Sequence, residues 1–289
     1  MSYYHLHQER IDTLIRQALQ EDIGDGDHTT LATLAPGQLG NAVVTLKQPG
    51  FIAGLEAARA IYRILDPDLV FTTHYSDGAE AQTGTVLFEV SGSMASITMG
   101  ERLVLNTVQR MSGIATKTKR LTRLIAHTNT QILDTRKTTP NFRIFEKWAV
   151  YLGGGTNHRF GLYDAILLKD NHVDFAGSMG EALKRTKAYI DEKQWDLPVI
   201  VEVRHLDDIH LCLAHPWINR LLLDNMTPEM VQKAVALIDG AFETEVSGSV
   251  DEHNIADYAA QGVDYVSVGA LTHQIKSLDM SMTVKKSAL

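Results

Sequence analysis

The chain has 289 residues, 44% hydrophobic and 21% charged, with a formal charge of −8, which suits one large or two smaller globular domains and argues against general nucleic-acid binding. No apolar run reaches the roughly eighteen residues of a membrane helix, and the opening MSYYHLHQER has neither the basic nor the apolar region of a signal peptide. A cytoplasmic protein is expected, its one cysteine, Cys212, packed in the apolar run Leu211-Cys212-Leu213.

Ile11, Leu14, Ile15, Ala18 and Leu19 fall at helical spacing. The stretch EDIGDGD, from Glu21 to Asp27, ends that helix as a turn; it lacks the alternating carboxylates and closing glutamate of a calcium loop. Strands are predicted over 42–46, 70–74 and 85–90, with turns at Pro49-Gly50 and Asp77-Gly78 and a helix over Leu55–Leu65. A further helix is expected to start at Thr98, where Thr98 and Glu101 have capping-box spacing, and to carry Arg102, Asn106 and Arg110 on one face.

From Gln131 onward short apolar strands alternate with helical segments, over 132–133, 165–168, 199–203, 221–223, 242–246 and 265–268. Thr227 with Pro228 marks one helix start, and Gly262 follows a helix predicted from Glu252. No GxGxxG follows any strand, so a barrel is preferred over a dinucleotide-binding sheet. The expected fold is an N-terminal α+β open-sandwich domain over 1–114, then a TIM-like, incomplete α/β barrel over 115–274, with 275–289 packing back onto the first domain.

Active sites of βα barrels lie at the carboxyl ends of the strands. Here those ends read Asp134-Thr135-Arg136-Lys137, Lys169-Asp170-Asn171-His172, Glu202, Asp224-Asn225, Ser247-Gly248-Ser249 and Gly269-Ala270. Between Arg102 and His172 there are twelve Lys/Arg against four Asp/Glu in an otherwise acidic chain, which points to a local anion site. Arg136, Lys137, Arg159 and Lys169 form the predicted clamp, because guanidinium forks suit carboxylate and phosphate oxygens. Gly153-Gly154-Gly155 precedes Thr156-Asn157-His158-Arg159 and allows close backbone approach. Glu202 and Asp224, on consecutive strands, are placed to share a hard divalent ion. The loops at 247–249 and 268–270 suit a phosphate, and no HExxH or Cys/His spacing of a zinc site is present.

With these stretches in view the chain resembles the quinolinate phosphoribosyltransferases over nearly its whole length. The resemblance is carried by EDIGDGDHTT (21–30), GERLVLNTVQRMSGIAT (100–116), LDTRKTTP (133–140), GGTNHRFGL (154–162), LKDNH (168–172), LDN (223–225) and EVSG (245–248). It implies transfer of phosphoribosyl from phosphoribosyl pyrophosphate to quinolinate with decarboxylation, giving nicotinate mononucleotide on the route to NAD. It implies that Arg102, Thr135, Arg136, Lys137, His158, Arg159 and Lys169 bind quinolinate, and that Glu202, Asp224, Ser247, Gly248, Ser249, Val268, Gly269, Ala270 and His273 bind phosphoribosyl pyrophosphate. Lys137, Lys169, Glu202 and Asp224 are the implied catalytic residues, with Mg²⁺ at Glu202 and Asp224. The implied assembly is a homodimer or higher oligomer in which Arg102 completes the neighbouring site, with no nucleic-acid or membrane partner. Ser249 departs from the glycine or asparagine of many relatives. Rival readings are a sister phosphoribosyltransferase for another heterocyclic ring, a Schiff-base lyase using Lys169 and a catalytically silent anion-binding protein.

Overall fold

Two helices, α1 (Tyr3–Leu6) and α2 (Gln8–Ile23), open the computed structural model, which describes residues 2–285; Ile11, Ile15 and Leu19 line the buried face of the second. Gly24, at φ 57°, ends α2. Asp27 then caps α3 (His28–Thr33), its Oδ1 accepting from the Thr30 N–H at 3.0 Å, so the acidic glycine stretch is a helix-to-helix turn.

The chain falls into two units, Met1–Lys119 with Thr138–Gly154 and Gln274–Leu289, and Arg120–Lys137 with Gly155–His273. In the first, β1 (Leu39–Leu46), β2 (Gly50–Phe51), β3 (Val70–Thr73), β4 (Glu80–Ala81) and β5 (Val86–Ser93) surround α4 (Leu55–Leu65) in sequence. β5 pairs antiparallel with β1 and β3, while β2 pairs with β4. Ala42, Val44 and Leu46 alternate into the core; a bulge between Val44 and Thr45 lets the opposite strand bury Leu87 and Phe88 in succession. The strand Met280–Val284 returns to β1, with Ala42 opposite Val284, and residues 286–289 lie outside the described residues. Asp77 caps α4 from a distance, accepting from the N–H of Leu55 at 2.9 Å and of Glu56 at 3.2 Å.

The helix predicted from Thr98 begins earlier, as α5 (Met94–Leu124). Ser93 supplies the cap, accepting from the Ser96 N–H at 3.3 Å, because 94–97 continues straight out of β5. The Thr98 hydroxyl instead donates back to the Met94 carbonyl at 2.8 Å, so the Thr98 capping box is not formed. The sequence division at 114/115 falls inside α5. The first unit also takes α6 (Arg143–Leu152), whose buried Trp148 stacks on Tyr3 with ring centroids 5.5 Å apart. On α6 the fully buried Glu146 accepts from Arg110 Nε at 2.8 Å and from the Thr139 N–H at 3.1 Å.

The second unit is a parallel sheet of β6 (Gln131–Leu133), β7 (Ile166–Leu168), β8 (Val199–Val203), β9 (Arg220–Asp224), β10 (Glu243–Ser247) and β11 (Tyr265–Ser267), in the order β6-β11-β10-β9-β8-β7. That is the cyclic order of a barrel with one seam left open, between β6 and β7. At the seam Thr156 forms a parallel bridge with Leu133. The helices α7 (Asp170–Ala176), α8 (Met179–Lys193), α9 (Leu206–Leu213), α10 (Pro228–Ile238), α11 (Ile255–Ala259) and α12 (Ala270–His273) punctuate the strands. Every residue of β8 is buried, as expected of a strand covered on both faces. The helix predicted from Glu252 starts at Ile255, because 251–254 closes a turn in which the Asp251 N–H donates to Asn254 Oδ1 at 2.9 Å. No described helix is long and apolar enough to cross a membrane.

Candidate active site

Parallel strands deliver all their carboxyl ends to one rim, and three acidic side chains are buried in this unit: Asp134 just beyond β6, Glu202 on β8 and Glu245 on β10. Asp134 is fully buried and organises the segment at the seam. Its Oδ2 accepts from Asn157 Nδ2 and its Oδ1 from the His158 N–H, both at 2.8 Å. The predicted anion-binding turn at 156–159 is thereby tied to the end of β6.

Arg136 stands close enough to Arg159 for its charge to act on that guanidinium. Burial, and then the positive charge of Arg136, push the Arg159 guanidinium below its ordinary value, with Asp164 acting in the opposite direction. Arg159 Nη1 donates to the Ala165 carbonyl at 3.0 Å, which anchors one edge of its fork. Two guanidiniums held near one another favour an anion with more than one oxygen pair. In the same loop the Lys137 N–H donates to Thr135 Oγ1 at 3.0 Å, and the Lys137 side chain is exposed.

Lys169 caps α7, and its Nζ lies 4.0 Å from Glu202 Oε2. The Asp170 N–H donates to Glu202 Oε1 at 3.2 Å. Burial raises the Glu202 carboxyl above its ordinary value, and the nearby Asp224 carboxylate pushes the same way. Glu202 is therefore a buried carboxyl short of positive charge, with the Asp224 carboxylate nearby. Among the described residues no group of three or more His, Cys, Asp or Glu gathers to hold a metal. A two-carboxylate set fits Mg²⁺, which keeps waters and takes substrate oxygens, better than a metal wholly caged by protein.

Beyond β9 and β10 the backbone is unusual at three positions, Asn225 (φ 54°), Gly248 (φ 104°) and Ser249 (φ 49°). A Cβ on Gly248 would run into the Asn225 side chain, so only glycine fits there. Asn225 is positioned by donating to Asp224 Oδ2 at 2.6 Å and, through its backbone, to the Ser247 carbonyl at 2.9 Å. Ser249 occupies the left-handed region, which glycine and asparagine adopt more readily than serine. At the last strand, a Cβ on Gly269 would come within 3.1 Å of both Lys137 Cδ and His273 Nε2, while Thr272 Oγ1 donates to the Lys137 carbonyl at 2.8 Å. Gly269 and Thr272 thus pack against Lys137 in the loop that also carries Arg136, and His273 lies against Gly269.

Arg102 is exposed on α5, in the first unit. Three residues in the second unit had no role in the sequence reading. Asp134 was visible only as a strand terminus, Glu245 as part of EVSG, and Ser267 not at all. The available signal was a glutamate within the run Phe242 to Val246, since a charged residue inside a doubly covered strand requires partners.

Family models describe 27–112 as the quinolinate phosphoribosyl transferase N-terminal domain and 114–283 as its C-terminal domain. A quinolinate phosphoribosyltransferase [decarboxylating] of Nicotiana tabacum is 40% identical over 94% of this chain and 81% of its own length. A probable nicotinate-nucleotide pyrophosphorylase [carboxylating] of Bacillus subtilis is 36% identical over 96% of this chain and 94% of its own. The structure of the nicotinate-nucleotide pyrophosphorylase from Francisella tularensis superposes with a TM-score of 0.87 at 37% identity, covering 96% of each chain.

Proposed function

The chain belongs to the quinolinate phosphoribosyltransferase family, and on that premise we propose that it joins quinolinate to phosphoribosyl pyrophosphate, releasing pyrophosphate and CO₂ and forming nicotinate mononucleotide for NAD synthesis. The observation that carries this reading is the presence, in one unit, of two neighbouring guanidiniums, Arg136 and Arg159, and of a buried carboxyl, Glu202, raised by burial and by the nearby Asp224.

Arg136 and Arg159 hold the two adjacent carboxylates of the pyridine ring, with Thr135 and His158 in the same loops. Glu202 and Asp224 would hold Mg²⁺, which when bound neutralises the departing pyrophosphate. Ser247, Gly248 and Ser249, with the 268–270 turn and His273, receive the ribose phosphate. The ring nitrogen attacks the anomeric carbon through an oxocarbenium-like state, as in other glycosyl transfers, and no enzyme nucleophile is needed. Lys137 and Lys169 act by position and charge. Loss of CO₂ leaves an electron pair on the ring carbon, which the now cationic ring nitrogen stabilises before that carbon takes a proton.

The exposed position of Arg102 supports a homodimer in which Arg102 of the partner subunit completes the clamp. A cytoplasmic setting is supported by Cys212, whose buried thiol is pushed up to about 12 and so stays unreactive.

Incubating the purified protein with quinolinate, phosphoribosyl pyrophosphate and Mg²⁺ should yield CO₂ and nicotinate mononucleotide in equal amounts. Mononucleotide formed from nicotinate, with no CO₂ from quinolinate, would identify a sister transferase instead. Borohydride trapping of substrate on Lys169 would identify a lyase.

A further inference from the structure

We infer that Glu245 is a positioning residue for the carboxylate clamp, acting through His158, and that His158 commits both its ring nitrogens to the protein rather than to substrate. The inference deepens the proposed function and rests on its placing of an anionic ring beside Arg136 and Arg159.

Glu245 sits on β10 with its side chain fully buried. A lone carboxylate there would be costly, and its partners arrive from three distant parts of the chain. Ser267 Oγ, from β11, donates to Oε1. Arg220 Nη1, from β9, donates to Oε2 at 3.1 Å, and His158 Nε2 lies 3.5 Å from the same oxygen. Arg220 is itself fixed, with Nε and Nη2 donating to Glu243 Oε2 at 3.0 and 2.8 Å and its guanidinium 3.9 Å from the centre of the Tyr265 ring. Burial raises the Glu245 carboxyl, but His158, Ser267 and Arg220 together outweigh it, so the group is held below its ordinary value.

On the other side of the imidazole, the Arg159 N–H donates to His158 Nδ1 at 2.6 Å. A ring whose Nδ1 accepts carries its proton on Nε2, the nitrogen that faces Glu245. The His158 side chain is only 7% exposed, and its backbone N–H is already on Asp134. Residue 158 is thus held at its backbone and at both ring nitrogens. The line Glu245–His158–Arg159 passes rigidity from the sheet interior to the start of the residue whose guanidinium meets the anion. Family resemblance places His158 in the quinolinate site; the hydrogen bonds make it the support on which Arg159 is mounted.

The test combines a spectrum and a kinetic split. Nitrogen-15 NMR of the histidine-labelled full-length protein should show His158 as the Nε2–H tautomer, unchanged when quinolinate is added. Conversion to the imidazolium, or transfer of the proton to Nδ1, on adding quinolinate would overturn the inference. Glu245→Gln should raise the KM for quinolinate about tenfold, leave the KM for phosphoribosyl pyrophosphate and kcat within about threefold, and mix the His158 tautomers. An unchanged quinolinate KM in a folded variant would overturn the role of Glu245. Should that variant fail to fold, Ser267→Ala removes one donor to Glu245 and should shift the same constant alone by a smaller factor; equal shifts for both substrates would mark a merely structural role and overturn it. If the wild-type protein releases no CO₂ from quinolinate, the proposed function fails, while the substrate-free spectrum and the tautomer mixing in Glu245→Gln still decide whether Glu245 sets the His158 ring.

Discussion

The surroundings of Glu245 and of Glu202 are two regions of one parallel sheet, each built around a buried glutamate. Around Glu245, a hydroxyl, a guanidinium and an imidazole hold the carboxyl below its ordinary value. Around Glu202 there is one backbone N–H, a lysine 4.0 Å away and the like charge of Asp224, and the carboxyl is raised by burial and by that charge. Burial of a glutamate therefore carries opposite meanings in the two places. A carboxylate whose neighbours supply its counter-charge is a fixture of the fold, and one left short of positive charge is a receptor for a cation. Substitution in the first class should cost stability and reach the substrate only through the residues that the carboxylate holds, and in the second it should cost activity directly.

The largest effect expected from this contrast lies in the first unit, at a third buried glutamate of the saturated kind. Glu146→Leu leaves the Arg110 guanidinium and the Thr139 N–H without their common acceptor and should cost about 3–5 kcal/mol of unfolding free energy, measured by urea denaturation. A loss below about 1 kcal/mol, the range of an exposed pair, would break the comparison.

Next come the charges assigned to ligand. Asp224→Ala and Arg136→Ala should each lower kcat/KM by about 10²–10³, with Tm within about 2 °C of the parent. Near-normal turnover in either folded variant would remove that residue from the site.

A smaller effect separates the two glutamates by pH. The folded Glu202 value lies above the unfolded one, so without metal its contribution to stability is present below the ordinary glutamate value of 4.5 and is lost as pH rises through the raised value. Glu202→Gln should flatten that part of the metal-free stability profile. Mg²⁺-dependent activity, which needs the ionised form, should fall as pH drops through the same raised value. For Glu245, held below its ordinary value, the linkage reverses: stability is present above the unfolded value and lost as pH falls through the folded one.

The smallest effect is at Ser249. Relief of its left-handed backbone by Ser249→Gly should change stability by less than about 1 kcal/mol and phosphoribosyl pyrophosphate KM by less than about twofold. A large loss would show that the serine side chain itself contacts the phosphate.

The strand ends were legible because their signal is local: an apolar run closes, and at its end or within three residues beyond it stand Arg136, Lys169, Glu202 or Asp224. The early start of α5 was hidden because Thr98 and Glu101 have cap spacing, while the true cap, Ser93, closes a strand. Glu245 was quoted within a motif yet mute, since Arg220, His158 and Ser267 lie 22 to 87 positions away and only the sheet order brings them together. The grouping of Thr138–Gly154 with the first unit was equally non-local, resting on Glu146 with Arg110 and on Trp148 with Tyr3.

The order of strands also bears on how the chain is made. β6, the first strand of the parallel sheet, has its ladder partner in β11, the last, and β1 waits for the strand Met280–Val284. During synthesis neither sheet can be completed until the C-terminal tenth of the chain has left the ribosome, so both carry an unpaired edge for most of that time. Folding should therefore be slow for a chain of this helix content and depend on protection of those edges. Removal of 280–284 would leave β1, with its run Ala42-Val43-Val44, open to pairing with another nascent copy.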